Sequence, residues 1–132
     1  MDHNIWCGTD YLKNITGFTP YNATSIVSSS KEWSINGERS LKCESTSETN
    51  NFDGMRVLYL GNVAATLKLT LYNPQGSVYV RLWSQNNTYK NVIVPPSNIP
   101  VDVSLYSNDC YVLQLFVTSK QIFYVDNLTL IK

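Results

Sequence analysis

The sequence predicts an all-β fold, a sandwich or barrel of antiparallel sheets built by one domain over residues 1–132. Three observations predict it. Short runs of alternating or continuous apolar residues recur along the chain, and turn-forming residues separate them. No window of a dozen residues holds apolar side chains at i, i+3, i+4 and i+7 without turn residues or β-branched runs intervening. Many short strands with such punctuation pack as sheets on sheets.

In chain order, strands are predicted at Asn4–Cys7, Ser25–Ser28, Ser40–Glu44, Met55–Leu60, Ala65–Tyr72, Ser77–Gln85, Asn91–Val94, Val101–Tyr106, Tyr111–Thr118 and Ile122–Ile131. The turns between them fall at Asn36-Gly37, Gly61-Asn62, Asn73–Gly76, Pro95–Asn98 and Ser107–Asp109. Val101, Val103 and Leu105 alternate with Asp102, Ser104 and Tyr106, which makes a one-sided strand. Tyr111–Thr118 is apolar at nearly every position except Gln114, so it belongs mid-sheet, covered on both faces. Gln114 there either meets backbone partners or opens onto a cleft.

The runs Ala65–Tyr72 and Ser77–Gln85 carry the most information. Leu67, Leu69 and Leu71 alternate with polar residues in the first, as do Val78, Val80 and Leu82 in the second. If Asn73 and Gly76 close a hairpin, Leu71 faces Val78, Leu69 faces Val80 and Leu67 faces Leu82. The other face then collects Lys68, Thr70, Tyr79, Arg81, Trp83 and Gln85. Flat rings beside hydrogen-bonding side chains suit an uncharged, polyhydroxylated ligand. Tyr89, on the loop after this strand, is placed to close over it. In that register Lys68 stands opposite Arg81, and like charges so placed repel. Either the register differs, or two cations hold an acidic ligand.

Composition narrows the function. Lys plus Arg and Asp plus Glu balance at 10 each, which leaves no basic footprint for nucleic acid. No apolar run approaches the ~20 residues that span a bilayer, and the polar start Met1-Asp2-His3-Asn4 lacks a secretory pattern. Asn, Ser and Thr number 39, a polarity without charge that fits extracellular β-sandwiches and virion proteins. Four Asn-x-Ser/Thr sequons begin at Asn14, Asn22, Asn86 and Asn127. The odd set Cys7, Cys43 and Cys110 matches no zinc spacing; Cys43 reads as a buried thiol, while a Cys43–Cys110 or Cys7–Cys43 bridge stays open. His3, the single histidine, falls at a terminus expected to fray, so no nucleophile–histidine arrangement has a base. Glu44, Glu48 and Asp53 are expected on a solvated loop, with nothing to project two of them across a sugar. Trp33 is expected to pack at the sandwich edge and Trp6 in the core.

Two stretches resemble a known family. Ser29–Lys42 carries a serine-rich strand end, Trp33, the turn Asn36-Gly37 and the strand Ser40-Leu41-Lys42; Ile122–Leu130 is an apolar run broken by Asp126-Asn127 and closed by alternating leucines. Both are similar to segments of jelly-roll carbohydrate-binding modules of the galactose-binding-like superfamily. The resemblance implies a jelly-roll β-sandwich and a non-catalytic module, part of a longer multidomain chain, that tethers its parent protein to a polysaccharide or other glycan at the cell surface or outside the cell. It also implies a structural calcium (Ca2+) on Asp126, with Asp10 the nearest candidate second carboxylate. Calcium needs six to eight oxygens, and the competing role for Asp126 is to cap a β-bulge by bonding local amides. The other functional reading is a structural or adhesive sandwich of a virion, phage tail or cell-surface protein.

Overall fold

Both edges of the strand Ala65–Tyr72 are taken by partners distant in sequence, so the two decorated strands cannot pair with each other. The computed structural model describes residues 2–6, 18–20, 25–35, 38–46, 53–57, 60 and 63–131, and among these there is no helix. The strands are β1 (Asp2–Trp6), β2 (Phe18–Pro20), β3 (Ser25–Ser30), β4 (Ser40–Ser45), β5 (Asp53–Val57), β6 (Val63–Tyr72), β7 (Val78–Trp83), β8 (Tyr89–Val94), β9 (Val101–Cys110), β10 (Val112–Val117) and β11 (Gln121–Ile131). One sheet runs β3-β4-β11-β6-β9, with β1 paired to β11 beyond β4; the other runs β2-β5-β10-β7-β8. Every pairing is antiparallel. The architecture is a jelly-roll β-sandwich, as the sequence led one to expect.

Period-two alternation turns one face of each strand inward. Leu67, Leu69 and Leu71 of β6, with Phe123, Val125, Leu128 and Leu130 of β11, meet Val78, Val80 and Leu82 of β7 and Leu113, Leu115 and Val117 of β10. All are buried, and each such side chain contributes about 1.5–3 kcal/mol relative to exposure.

The predicted β6–β7 hairpin is corrected. The six aliphatics do share a core, but they meet across it rather than along a ladder. β6 pairs with β11 and β9, whereas β7 pairs with β10 and β8. The turn after β6 therefore crosses between sheets. Asn73, fully buried, holds it there: its amide nitrogen lies 2.9 Å from the Gly76 carbonyl, 3.0 Å from that of Val94 and 3.2 Å from that of Pro95. This side chain ties the turn to the end of β8, in the second sheet.

Other boundaries shift for local reasons. Residues 107–109, predicted as a turn, continue β9, with a register irregularity opposite Val63–Ala65. The Asp109 amide bonds the Ser107 hydroxyl, which satisfies it within the irregularity. β10 is mid-sheet and buried from Leu113 to Val117, as its apolar run predicted. His3 lies within β1 opposite Leu130 rather than at a frayed end. Glu44 lies on β4 and Asp53 on β5, not on a loop; Glu48, Cys7 and the turns Asn36-Gly37 and Gly61-Asn62 lie outside the described residues, as does the Trp6 side chain. Cys43 and Cys110 are both buried thiols and are not joined to each other; burial pushes both thiols up from their ordinary range.

Candidate functional site

With Val78, Val80 and Leu82 turned inward, the pleat sends Tyr79, Arg81 and Trp83 to the outer face of the five-stranded sheet. The neighbouring strands extend each row. Tyr79 lies between Phe116 of β10 and Ile93 of β8, Arg81 between Gln114 and Asn91, and Trp83 between Val112 and Tyr89. Tyr79 stacks on Phe116 with centroids 4.8 Å apart and planes 10° from parallel. The Trp83 and Tyr89 rings are 4.9 Å apart and tilted by 55°. The two aromatic rows are four residues apart along β7, about 13 Å at the rise of a strand.

Arg81 fills the space between them. Its guanidinium carbon lies 4.0 Å from the Tyr89 centroid, 4.8 Å from Phe116 and 5.8 Å from Trp83. Such cation–π contacts contribute roughly 0.5–2 kcal/mol each way of counting. No protein hydrogen bond reaches the guanidinium among the described residues, and its Nε is buried without a partner. The Trp83 indole N–H, by contrast, donates to the Gln114 side-chain oxygen at 2.9 Å. That bond fixes the indole plane and satisfies Gln114, which is buried mid-sheet. Trp83 therefore offers a ring face, and Arg81 offers donors. The sequence does not mark Phe116 and Gln114 as members of this face, because their strand is apolar on both sides and alternation does not tell its faces apart.

The remaining predicted residues distribute differently. Tyr89 is the first residue of β8, not a loop residue, and it joins the face through Trp83, with 48% of its surface exposed. Gln85 leaves it: β7 ends at Trp83, and Gln85 lies exposed in the turn Ser84–Thr88, its backbone N–H donating to the Asp109 carboxylate. Lys68 and Thr70 sit on β6, in the other sheet. Their alternation with Leu67, Leu69 and Leu71 sends them to the opposite outer surface of the sandwich, so they cannot share a ligand with Arg81. The like-charge conflict disappears with the hairpin, and so does the idea of two cations gripping one acid.

Trp33 is not at an edge. It lies over the outer face of the six-stranded sheet, stacked on Tyr72 at 5.1 Å and tilted against Tyr124 at 6.1 Å. Glu32 beside it accepts from Lys42 at 2.6 Å and from the Tyr124 hydroxyl at 3.0 Å. These two donors, Lys42 first, hold the Glu32 carboxyl below its ordinary value. The segment carrying Trp33 is thereby strapped across the sheet.

Asp126 is fully buried at the bulge of β11, where the register with β6 jumps between Asp126 and Thr129 and Asn127 adopts φ 54°. Its carboxylate accepts the Ile35 amide at 3.0 Å and the Asn127 amide at 2.8 Å. That is the geometry of a bulge cap, extended to anchor the Trp33 strap. Among the described residues no group of three acidic, cysteine or histidine side chains could hold a metal ion, and Asp10 lies outside them. The described residues thus do not by themselves make a calcium shell.

No protein-family model and no curated protein sequence matches the chain. Solved structures do. A structure of carbohydrate-binding modules of the β-sandwich superfamily, studied for promiscuous specificity, superposes with a TM-score of 0.72 at 16% identity, over 99% of this chain. The chain spans 62% of the length of that structure. A family 29 carbohydrate-binding module gives 0.71 at 11% identity, covering 98% of this chain and 91% of its own; another variant of that module is complexed with cellulohexaose. The family 11 module of a cellulosomal cellulase of Clostridium thermocellum gives 0.65 at 10% identity, covering 99% and 94%. The likeness shows the fold, the β-sandwich of these modules.

Proposed function

We propose that the outer face of the five-stranded sheet binds a glycan chain and that the protein is a non-catalytic carbohydrate-binding module. The observation that carries the reading is the Arg81 guanidinium, packed among Tyr89, Phe116 and Trp83 without a hydrogen bond from the described residues. A sugar supplies what this group lacks. Its hydroxyls accept from the guanidinium, while its C–H faces rest on the rings of Trp83 and Tyr89. The span between the aromatic rows suits an oligosaccharide rather than a single ring. The shared fold with the family 29 and family 11 modules supports the same reading.

Such a site exchanges water hydrogen bonds for protein ones at small net gain, so one module binds weakly. Its use is to tether: attached to a longer chain, it raises the local concentration of its neighbours at a polysaccharide outside the cell or on its surface. Printing neutral and acidic oligosaccharides, cellulohexaose among them, on an array tests the proposal. The wild-type chain is expected to bind at least one oligosaccharide class and Trp83→Ala to bind it at least tenfold more weakly; affinity unchanged by that substitution contradicts it. Calcium at Asp126 is a separate proposal. A fall in Tm on adding a chelator supports it, and an unchanged Tm removes it.

A further inference from the structure

A hollow of about 400 Å³ lies on the opposite side of the sandwich from Trp83, between β6, β9 and β11. Its polar lining is Lys68, Thr70, Asp102, Ser104, Asn127 and Thr129. The volume falls toward the lower end of the roughly 300–1,000 Å³ of small-molecule sites. The bulge of β11 shapes it: Thr70 pairs with Asp126 and Lys68 with Thr129, so two residues of β11, Asn127 and Leu128, span the single residue Leu69 of β6. β9 closes the other side, with Asp102 opposite Thr70 and Ser104 opposite Lys68.

The hydrogen bonding within it is incomplete in a specific way. The Thr70 hydroxyl donates to one oxygen of Asp102 at 2.9 Å, and a carboxylate with its two oxygens keeps further acceptor capacity beside the hollow that Asp102 lines. Lys68 and Asp102 are diagonal neighbours of opposite charge, yet they form no ion pair with each other. A hydroxyl between them can donate to the carboxylate and accept from the ammonium at once. Asn127 adds an amide with both functions, and Ser104 and Thr129 add hydroxyls. One positive and one negative charge cancel, so neither an acid nor a cation is favoured. Among the described residues no aromatic ring lines the hollow, so their recognition rests on the arrangement of polar groups rather than on stacking.

We infer that this hollow is a second saccharide site, taking a single neutral hexose ring or the end of a neutral glycan. The inference shares with the proposed function the reading of this chain as a glycan binder, but it concerns different residues on the other sheet. Two sites facing opposite ways let one module bridge two glycan chains.

The test is a heteronuclear NMR titration of the full chain with D-glucose, D-galactose, D-mannose and D-glucuronate, each raised to large excess. At least one neutral hexose is expected to shift the amides of Lys68, Ser104, Asn127 and Thr129, in Trp83→Ala as in wild type. Lys68→Ala is expected to weaken that binding roughly tenfold, the loss of one charge-assisted hydrogen bond. Asp102→Asn keeps an acceptor for Thr70 and preserves the fold, and it is expected to weaken binding similarly. The inference is overturned if no neutral hexose moves these amides, if D-glucuronate alone does, or if either substitution leaves the shifts unchanged. Failure at the Trp83 face appears in other resonances and leaves this result standing.

Discussion

Arg81 is the residue on which the proposed face turns. A guanidinium held by rings keeps its orientation while its N–H groups stay available, and an ammonium on a flexible stem does not. Arg81→Lys is therefore expected to weaken glycan binding by roughly tenfold, one charge-assisted bond, with little change in Tm. Calorimetric titration beside a melting curve separates the two effects. Alternation made Tyr79, Arg81 and Trp83 legible, because three aliphatics mark the inner face of β7. Phe116 and Gln114 were hidden by a strand buried on both sides. At the same scale, Glu32 predicts a pH dependence. Lys42 and Tyr124 hold its carboxyl below the ordinary 4.5, so its stabilisation is full above that value and lost as pH falls through the lower folded value. The Tm gap between wild type and Glu32→Gln should be largest near neutrality, shrink with added salt, and close in acid.

The element that decides the topology is the turn after β6. Its sequence, Asn73-Pro74-Gln75-Gly76, announces a reversal but not which sheet receives the next strand. That choice is made by Asn73 reaching Val94 and Pro95, some twenty residues onward, and local turn chemistry carries no sign of it. Asn73→Ala removes three contacts and leaves buried carbonyls unmet, at a cost of about 2–3 kcal/mol. Differential scanning calorimetry should record a Tm lower by roughly 5–10 °C. Gly76→Ala acts on the same turn. A Cβ there would lie 2.6 Å from the Gln121 amide nitrogen, which is buried and bonded to the Ser77 carbonyl, so the variant should also be destabilised. If Gly76→Ala melts with wild type, the close approach of this turn to β11 is not what holds it.

At the scale of the molecule, the crossover places the two decorated surfaces back to back. The all-β class and the half-buried strands were legible from alternation and turn residues, and strand pairing was not, since pairing is set by contacts between segments far apart in sequence. For that reason alternation alone groups Lys68 and Thr70 with a face they do not join. The sandwich also supplies an internal control, because Trp33 stacks on Tyr72 on the sheet opposite Trp83. The most direct measurement is the affinity of Trp83→Ala and Trp33→Ala, side by side, for the oligosaccharide selected on the array, with melting curves confirming that both are folded. The account predicts that Trp83→Ala loses tenfold or more, a stacking contact of roughly 1.4 kcal/mol or above, while Trp33→Ala binds as wild type. Retained affinity in Trp83→Ala, with loss in Trp33→Ala, would take this oligosaccharide off the face of Tyr79, Arg81 and Trp83 and contradict it.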